Sequence, residues 1–188
     1  MVSVIEVRLK MNTLEKAKKE LEEFMNSNQK VVLIKGTHQF KKHLLALHMI
    51  GKHSTNSKVL FRCNTLRNAE DFLQLKRPAK TGEAYIFQPN HQVYLDTNRS
   101  FNWRNTPKEI DYSILYPIDS ICDDSSKIEI IEDIINRSKQ KIFLVSWTDS
   151  HDYTWLQPYL CTTVIYDAEK EDPIYHQKVL DCIKELPQ

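Results

Sequence analysis

Glycine is scarce. The chain has 188 residues and three glycines, Gly36, Gly51 and Gly82. A backbone that closes around phosphate normally uses several glycines, because each Cβ obstructs the approach. That shortage counts against an intact glycine-rich nucleotide loop. Paired cysteines are also missing. Cys63, Cys122, Cys161 and Cys182 form no CxxC, and each sits in or beside an apolar run. The expectation is buried, reduced thiols. No apolar run approaches the ~20 residues of a membrane span. Glu6 and Arg8 interrupt MVSVIEVRLK, so it does not read as the apolar core of a signal peptide. The expectation is no membrane association and a cytoplasmic location. Charge bias is absent too. The net charge is +1, which supplies no electrostatic basis for tight non-specific nucleic-acid binding.

What is present describes one ordinary globular domain. Hydrophobic residues are 41% and charged residues 27%, which excludes a disordered chain. The length suits a single domain with a real core.

The patterning alternates between two periods. Residues 3–9 alternate as a short strand would. Residues 13–26 place Leu14, Ala17, Leu21, Phe24 and Met25 on one helical face, with Asn12 or Thr13 as cap. KVVLIK (30–35) is a β-branched apolar run that reads as a buried strand. A helix follows over 38–50, which Gly51 is expected to end. Strands are expected at 58–63, 83–87, 92–96, 111–119, 141–147 and 162–167. The pair at 83–96 reads as a hairpin, either an insertion or an antiparallel edge of the sheet, and 83–109 as a hairpin-and-loop insertion. Helices are expected at 65–75, 125–139, around 152–159, and at 173–185. This alternation predicts an α/β three-layer sandwich with a mostly parallel central sheet and helices on both faces.

One segment carries a chemical hypothesis. A phosphate-binding loop reads GxxxxGK[ST], between a buried strand and a helix. Here the chain reads KVVLIK-GTHQFKKH-LLALHMI. Gly36 matches the first glycine and Lys42 the lysine. Lys41 replaces the second glycine, and His43 replaces the Ser/Thr. On these residues the chain resembles the P-loop NTPase superfamily, and within it the AAA+ or STAND-like ATPases, with a degenerate Walker A motif.

The resemblance implies a P-loop-like fold that binds ATP or GTP with Mg²⁺ through Gly36, Thr37, Lys41, Lys42 and His43. It implies an acidic residue at the end of a neighbouring strand. Asp119, at the end of ILYPID, fills that place as the candidate catalytic residue, with Asp123 and Asp124 nearby. A polar sensor residue at a further strand end is offered by Ser146, Thr148 or Asp149. The substitutions work against the chemistry. Lys41 obstructs the backbone path. Losing the hydroxyl removes a Mg²⁺ ligand that imidazole replaces poorly. The reading is a degenerate P-loop-like nucleotide-binding or protein-interaction module with weak or absent hydrolysis and a protein partner. The alternative is a Mg²⁺-dependent enzyme, either a divergent NTPase or a nuclease.

Other chemistries find less support. His38, His43, His48 and His53 recur every five residues, so consecutive rings turn by about 140° on a helix, and no metal site is expected. No Asp or Glu has Lys two positions on, as a PD-(D/E)xK nuclease would need. No GxSxG occurs. Arg99, Phe101, Trp103 and Arg104 form an aromatic–basic cluster. It fits a loop anchor or a protein interface better than single-stranded nucleic-acid stacking.

Overall fold

The computed structural model describes residues 12–87, 90–160 and 162–185. The strand expected at 3–9 and Cys161 lie outside them. The elements are α1 (Leu14–Asn26), β1 (Val31–Lys35), α2 (Gln39–His53), β2 (Lys58–Cys63), α3 (Leu66–Leu73), β3 (Ala84–Phe87), β4 (His91–Thr97), β5 (Ile110–Leu115), α4 (Lys127–Arg137), β6 (Ser138–Val145), β7 (Thr162–Ile165) and α5 (Pro173–Glu185). The seven strands lie in the order β3-β4-β2-β5-β6-β1-β7. Only the β3–β4 pair is antiparallel.

Alternation along each strand divides the core. Val32 and Ile34 of β1 face α1, α2 and α3, together with Phe61 and Phe143. Val31 and Leu33 face the opposite side, where Ile130, Ile131 and Ile134 of α4 cover Leu115, Ile142 and Leu144. The result is an α/β three-layer sandwich with helices on both faces. No helix among the described residues is long and apolar enough to cross a membrane.

Several elements depart from expectation. Helix α2 passes through Gly51 and ends at the cap Ser54, whose N–H donates to Ile50 O at 3.0 Å. Burial of Met49 and Ile50 outweighs the ~1 kcal/mol helix penalty of glycine. The polar stretch 97–109 contains a 3₁₀ helix, Ser100–Asn105. Its anchor is Trp103, whose Nε1 donates to Thr97 O at 2.9 Å. Around 152–159 only a 3₁₀ turn forms, Thr154–Leu156, since Pro158 has no N–H to continue a helix. Strand β5 stops at Leu115, and Pro117 precedes a 3₁₀ turn at Ile118–Ile121. The hairpin forms the antiparallel edge, one of its two expected placements: β3 is the edge strand, and β4 pairs along its length with β2.

A buried charge cluster fixes β2 and β4 beneath α4. Arg62 is fully buried; its Nε and Nη2 donate to Asp96 at 2.7 and 2.8 Å, and Nη2 donates to Asp133 at 2.8 Å. Its guanidinium stacks on the Trp103 ring, 4.2 Å from the centroid.

Candidate functional site: a filled polar corner

The sheet order sets the carboxyl ends of β5, β6, β1 and β7 side by side. Lys42, Asp119, Ser146 and Asp167 therefore approach one corner although they are far apart in sequence.

The loop after β1 is short. Residues 36–38 connect β1 to α2, which starts at Gln39. Positions 39–42, which a phosphate loop would keep as open backbone, are helical. Gly36 has φ +113°, and an added Cβ would lie 2.1 Å from Tyr166 O. Close approach of the segment after β7 therefore requires glycine here. Thr37 faces the same segment: its Oγ1 accepts from Ala168 N at 3.0 Å and meets His176 Nδ1 at 2.7 Å.

Lys42 is fully buried in the first turn of α2. Its Nζ donates to Gly36 O, to Ser146 Oγ at 2.9 Å and to Trp147 O at 3.4 Å. Asp149 Oδ1 lies 3.9 Å from it. Burial pulls the ammonium pKa down to about 8, against the opposing attraction of Asp149, Asp119 and Asp167. The charge that could meet a phosphate is thus turned inward.

The loop amides are occupied as well. Gly36 N donates to Asp149 Oδ2 at 2.6 Å, and Ser146 Oγ donates to Asp149 Oδ1. Asp149 reaches back from a left-handed conformation, φ +60°. Thr37 N donates to Asp167 Oδ1 at 2.9 Å, and Asp167 Oδ2 accepts from Asn12 Nδ2 at 3.0 Å. Two carboxylates therefore take donors of the kind that hold phosphate oxygens. Neither Phe40 nor Lys41 fills the corner. Phe40 is exposed and packs edge-on against Trp147, and Lys41 reaches outward to Glu171 Oε2 at 2.7 Å.

Asp119 is committed as well. It accepts from Trp147 N at 2.6 Å, and from Thr148 N, Thr148 Oγ1 and Tyr153 Oη at 3.1, 3.2 and 3.1 Å. It thereby ties the turn after β5 to the turn after β6. Asp123 and Asp124 are exposed. Asp124 accepts from Ser126 N at 2.8 Å and from Ser126 Oγ at 2.7 Å.

His43 lies behind the corner. Its ring stacks on Tyr116 at 4.4 Å and 20°, and Nε2 donates to Phe72 O at 3.0 Å. Burial drops its pKa to about 4. It is a core residue with no path to a ligand. The other three histidines of the five-residue series point elsewhere: His38 to Glu171 at 3.2 Å, His53 to Glu22 at 3.0 Å, and His48 to solvent. Among the described residues no group of three or more His, Cys, Asp or Glu is arranged to hold a metal.

A nucleotide with its Mg²⁺ therefore does not fit this arrangement of side chains. The amides are taken, the lysine is enclosed, and the strand-end acid binds backbone. Gly36, Thr37, Lys42, Ser146 and Asp149, all named from the sequence, lie at this corner. Sequence reasoning missed Asp167 and the clamp made by Glu171, just before α5, and by His176 of α5. The one available signal was an acid at the end of the last strand. A larger apolar groove, about 660 Å³ and lined by Leu47, Ile50, Val59 and Leu73, lies away from this corner between α2 and the β3–β4 hairpin.

No protein-family model matches the chain, and a search of curated proteins finds no relative.

Proposed function

We propose that this chain is a P-loop-like domain whose phosphate corner has become a structural plug, and that it works by binding another protein without turning over nucleotide. The carrying observation is the Asp149 carboxylate on the Gly36 amide, 2.6 Å away. An anionic side chain takes the donor that a phosphate would need, and Asp167 does the same at Thr37. The P-loop-like reading is supported by the meeting of Lys42 with Ser146, the polar strand-end residue that the resemblance anticipates, and by Asp119 one strand further on. ATP or GTP with Mg²⁺ would bind only after Asp149 and Asp167 had left those amides.

A protein partner is supported by Phe40 and Leu44. They sit one turn apart on α2, with 57% and 42% of their surface exposed. Exposed apolar pairs on a rigid helix are natural contact points for a partner. The cytoplasmic reading is supported by Cys63 and Cys122, which are buried and in no disulfide.

The test is turnover of Mg-ATP and Mg-GTP by the full chain, with Phe40→Glu/Leu44→Glu compared in co-purification. The expected result is no turnover, together with a specific partner that the double variant loses. Turnover abolished by Asp119→Asn would overturn the reading in favour of the enzyme alternative.

A further inference from the structure

At the other half of the sheet, the carboxyl ends of β2, β4 and β5 open onto a second cleft of about 520 Å³. The chain leaves β2 toward α3 on one face, whereas it leaves β4 and β5 toward Trp103 and α4 on the other. Such a divergence opens a crevice where small ligands of α/β sheets bind. The volume lies in the range of small-molecule pockets, ~300–1,000 Å³.

The lining has unspent chemistry. Asn98 donates its Nδ2 to Ser120 Oγ at 2.9 Å, while its Oδ1 is buried with no hydrogen-bond partner. A buried acceptor without a donor is unfavourable by ~1–3 kcal/mol. Arg99 and Glu129 both line the cleft, and neither side chain has a partner among the described residues. Phe101 lies at the same wall with 61% of its surface exposed, in a 3₁₀ helix whose other aromatic, Trp103, is buried. Trp103 holds this wall rigid, because its indole is fixed to Thr97 O and stacked on Arg62.

We propose that this cleft binds a nucleoside or its monophosphate. Phe101 supplies the stacking face for the base. Glu129 accepts from the sugar hydroxyls, and Arg99 faces the phosphate. Each of these groups is free for that purpose, and a flat, polar, mixed-charge ligand uses all of them. A purely anionic ligand would be repelled by Glu129 and Asp124, and a purely apolar one would leave Arg99 and Glu129 unanswered. The net charge of +1 favours a small ligand over a polynucleotide.

The test is an amide-NMR titration of the full chain with AMP, GMP, CMP and UMP and with the four parent nucleosides. Saturable shifts are expected at residues 98–101 and 120–129, with affinity in the ~mM range or better. Phe101→Ala weakens binding about tenfold. Arg99→Ala weakens the monophosphate and leaves the nucleoside unchanged. Asp149→Gly, in the other corner, leaves the nucleoside affinity and the shifts at residues 98–101 and 120–129 unchanged, so failure here is distinct from failure of the plug reading. The proposal is overturned by no saturable shift in the cleft up to ~10 mM ligand. It is also overturned by equal affinity in Phe101→Ala, or by binding only of single-stranded oligonucleotides.

Discussion

The Asp149 carboxylate and the Gly36 amide meet at 2.6 Å, across the ends of two neighbouring strands. This contact closes the corner, and it depends on a backbone conformation that non-glycine residues adopt at a penalty of ~1–2 kcal/mol. Asp149→Ala would retain that penalty and lose the carboxylate, stranding Gly36 N, Ser146 Oγ and the Lys42 charge. A loss of about 2–4 kcal/mol is expected in chemical denaturation. A loss below ~0.5 kcal/mol would mean that the carboxylate is incidental.

Gly36→Ala tests the reason for the glycine. With φ +113° and Tyr166 O at 2.1 Å from the added Cβ, the substitution should lower stability by about 2–3 kcal/mol or more. The damage should appear as lost amide protection in the segment after β7 as well as in α2.

Lys42 makes stability depend on alkaline pH. Its folded pKa, about 8, lies below the unfolded value of 10.5. Between those two values the unfolded chain binds the extra proton, so this residue's contribution to stability rises with pH across the window. It is lost as pH falls through about 8. The span is at most about 3 kcal/mol. Lys42→Met should remove that slope, measured as the difference between wild-type and variant denaturation from pH 7.5 to pH 10.5.

His43 produces the acid counterpart. Its folded pKa, about 4, lies below the ordinary 6.5. The stability it confers is complete above 6.5 and is lost as pH falls through about 4. His43→Phe keeps the stacking on Tyr116 and has nothing to protonate. Its unfolding curve should be flatter than wild type between pH 6.5 and pH 4. Parallel curves would show that other groups carry the acid limb.

Arg62 offers a test remote from the corner. Replacing it with Met leaves Asp96 buried without its partner, and burial already pushes that carboxyl pKa up despite the arginine's hydrogen bonds. The expected loss is about 3–5 kcal/mol. Adding Asp96→Leu should restore part of it. An additive further loss in the double variant would contradict the pairing.

The layered fold was legible because apolar periodicity is a local property. KVVLIK, KVLFRC and KIFLVS are runs that only a strand covered on both faces explains, and the stripe Ala17, Leu21, Phe24 explains α1. Boundaries failed where tertiary packing decided them, as when α2 continued through Gly51. The site was half legible. The spacing from Gly36 to Lys42 placed the lysine in the corner, and strand ends placed Asp119 and Ser146 near it. Spacing alone could not reveal that Lys42 turns inward or that Asp149 and Asp167 take the amides. Those contacts depend on β6 and β7 flanking β1, and strand order is not written in any one segment. Trp103 was legible as a loop anchor. Phe101, two residues earlier in the same 3₁₀ turn, stays exposed while Trp103 is buried, and nothing in the local sequence distinguishes the two rings.

The central claim is that the Asp149 carboxylate stands in for a phosphate, and the most direct measurement is thermal unfolding with inorganic tripolyphosphate, which carries no base for the second cleft. Asp149→Gly suits the left-handed backbone and frees the amide without adding a side chain. The account predicts no change for wild type, and stabilisation of the glycine variant that increases with ligand concentration. Stabilisation of wild type by tripolyphosphate, with protection of the Gly36 amide, would contradict it.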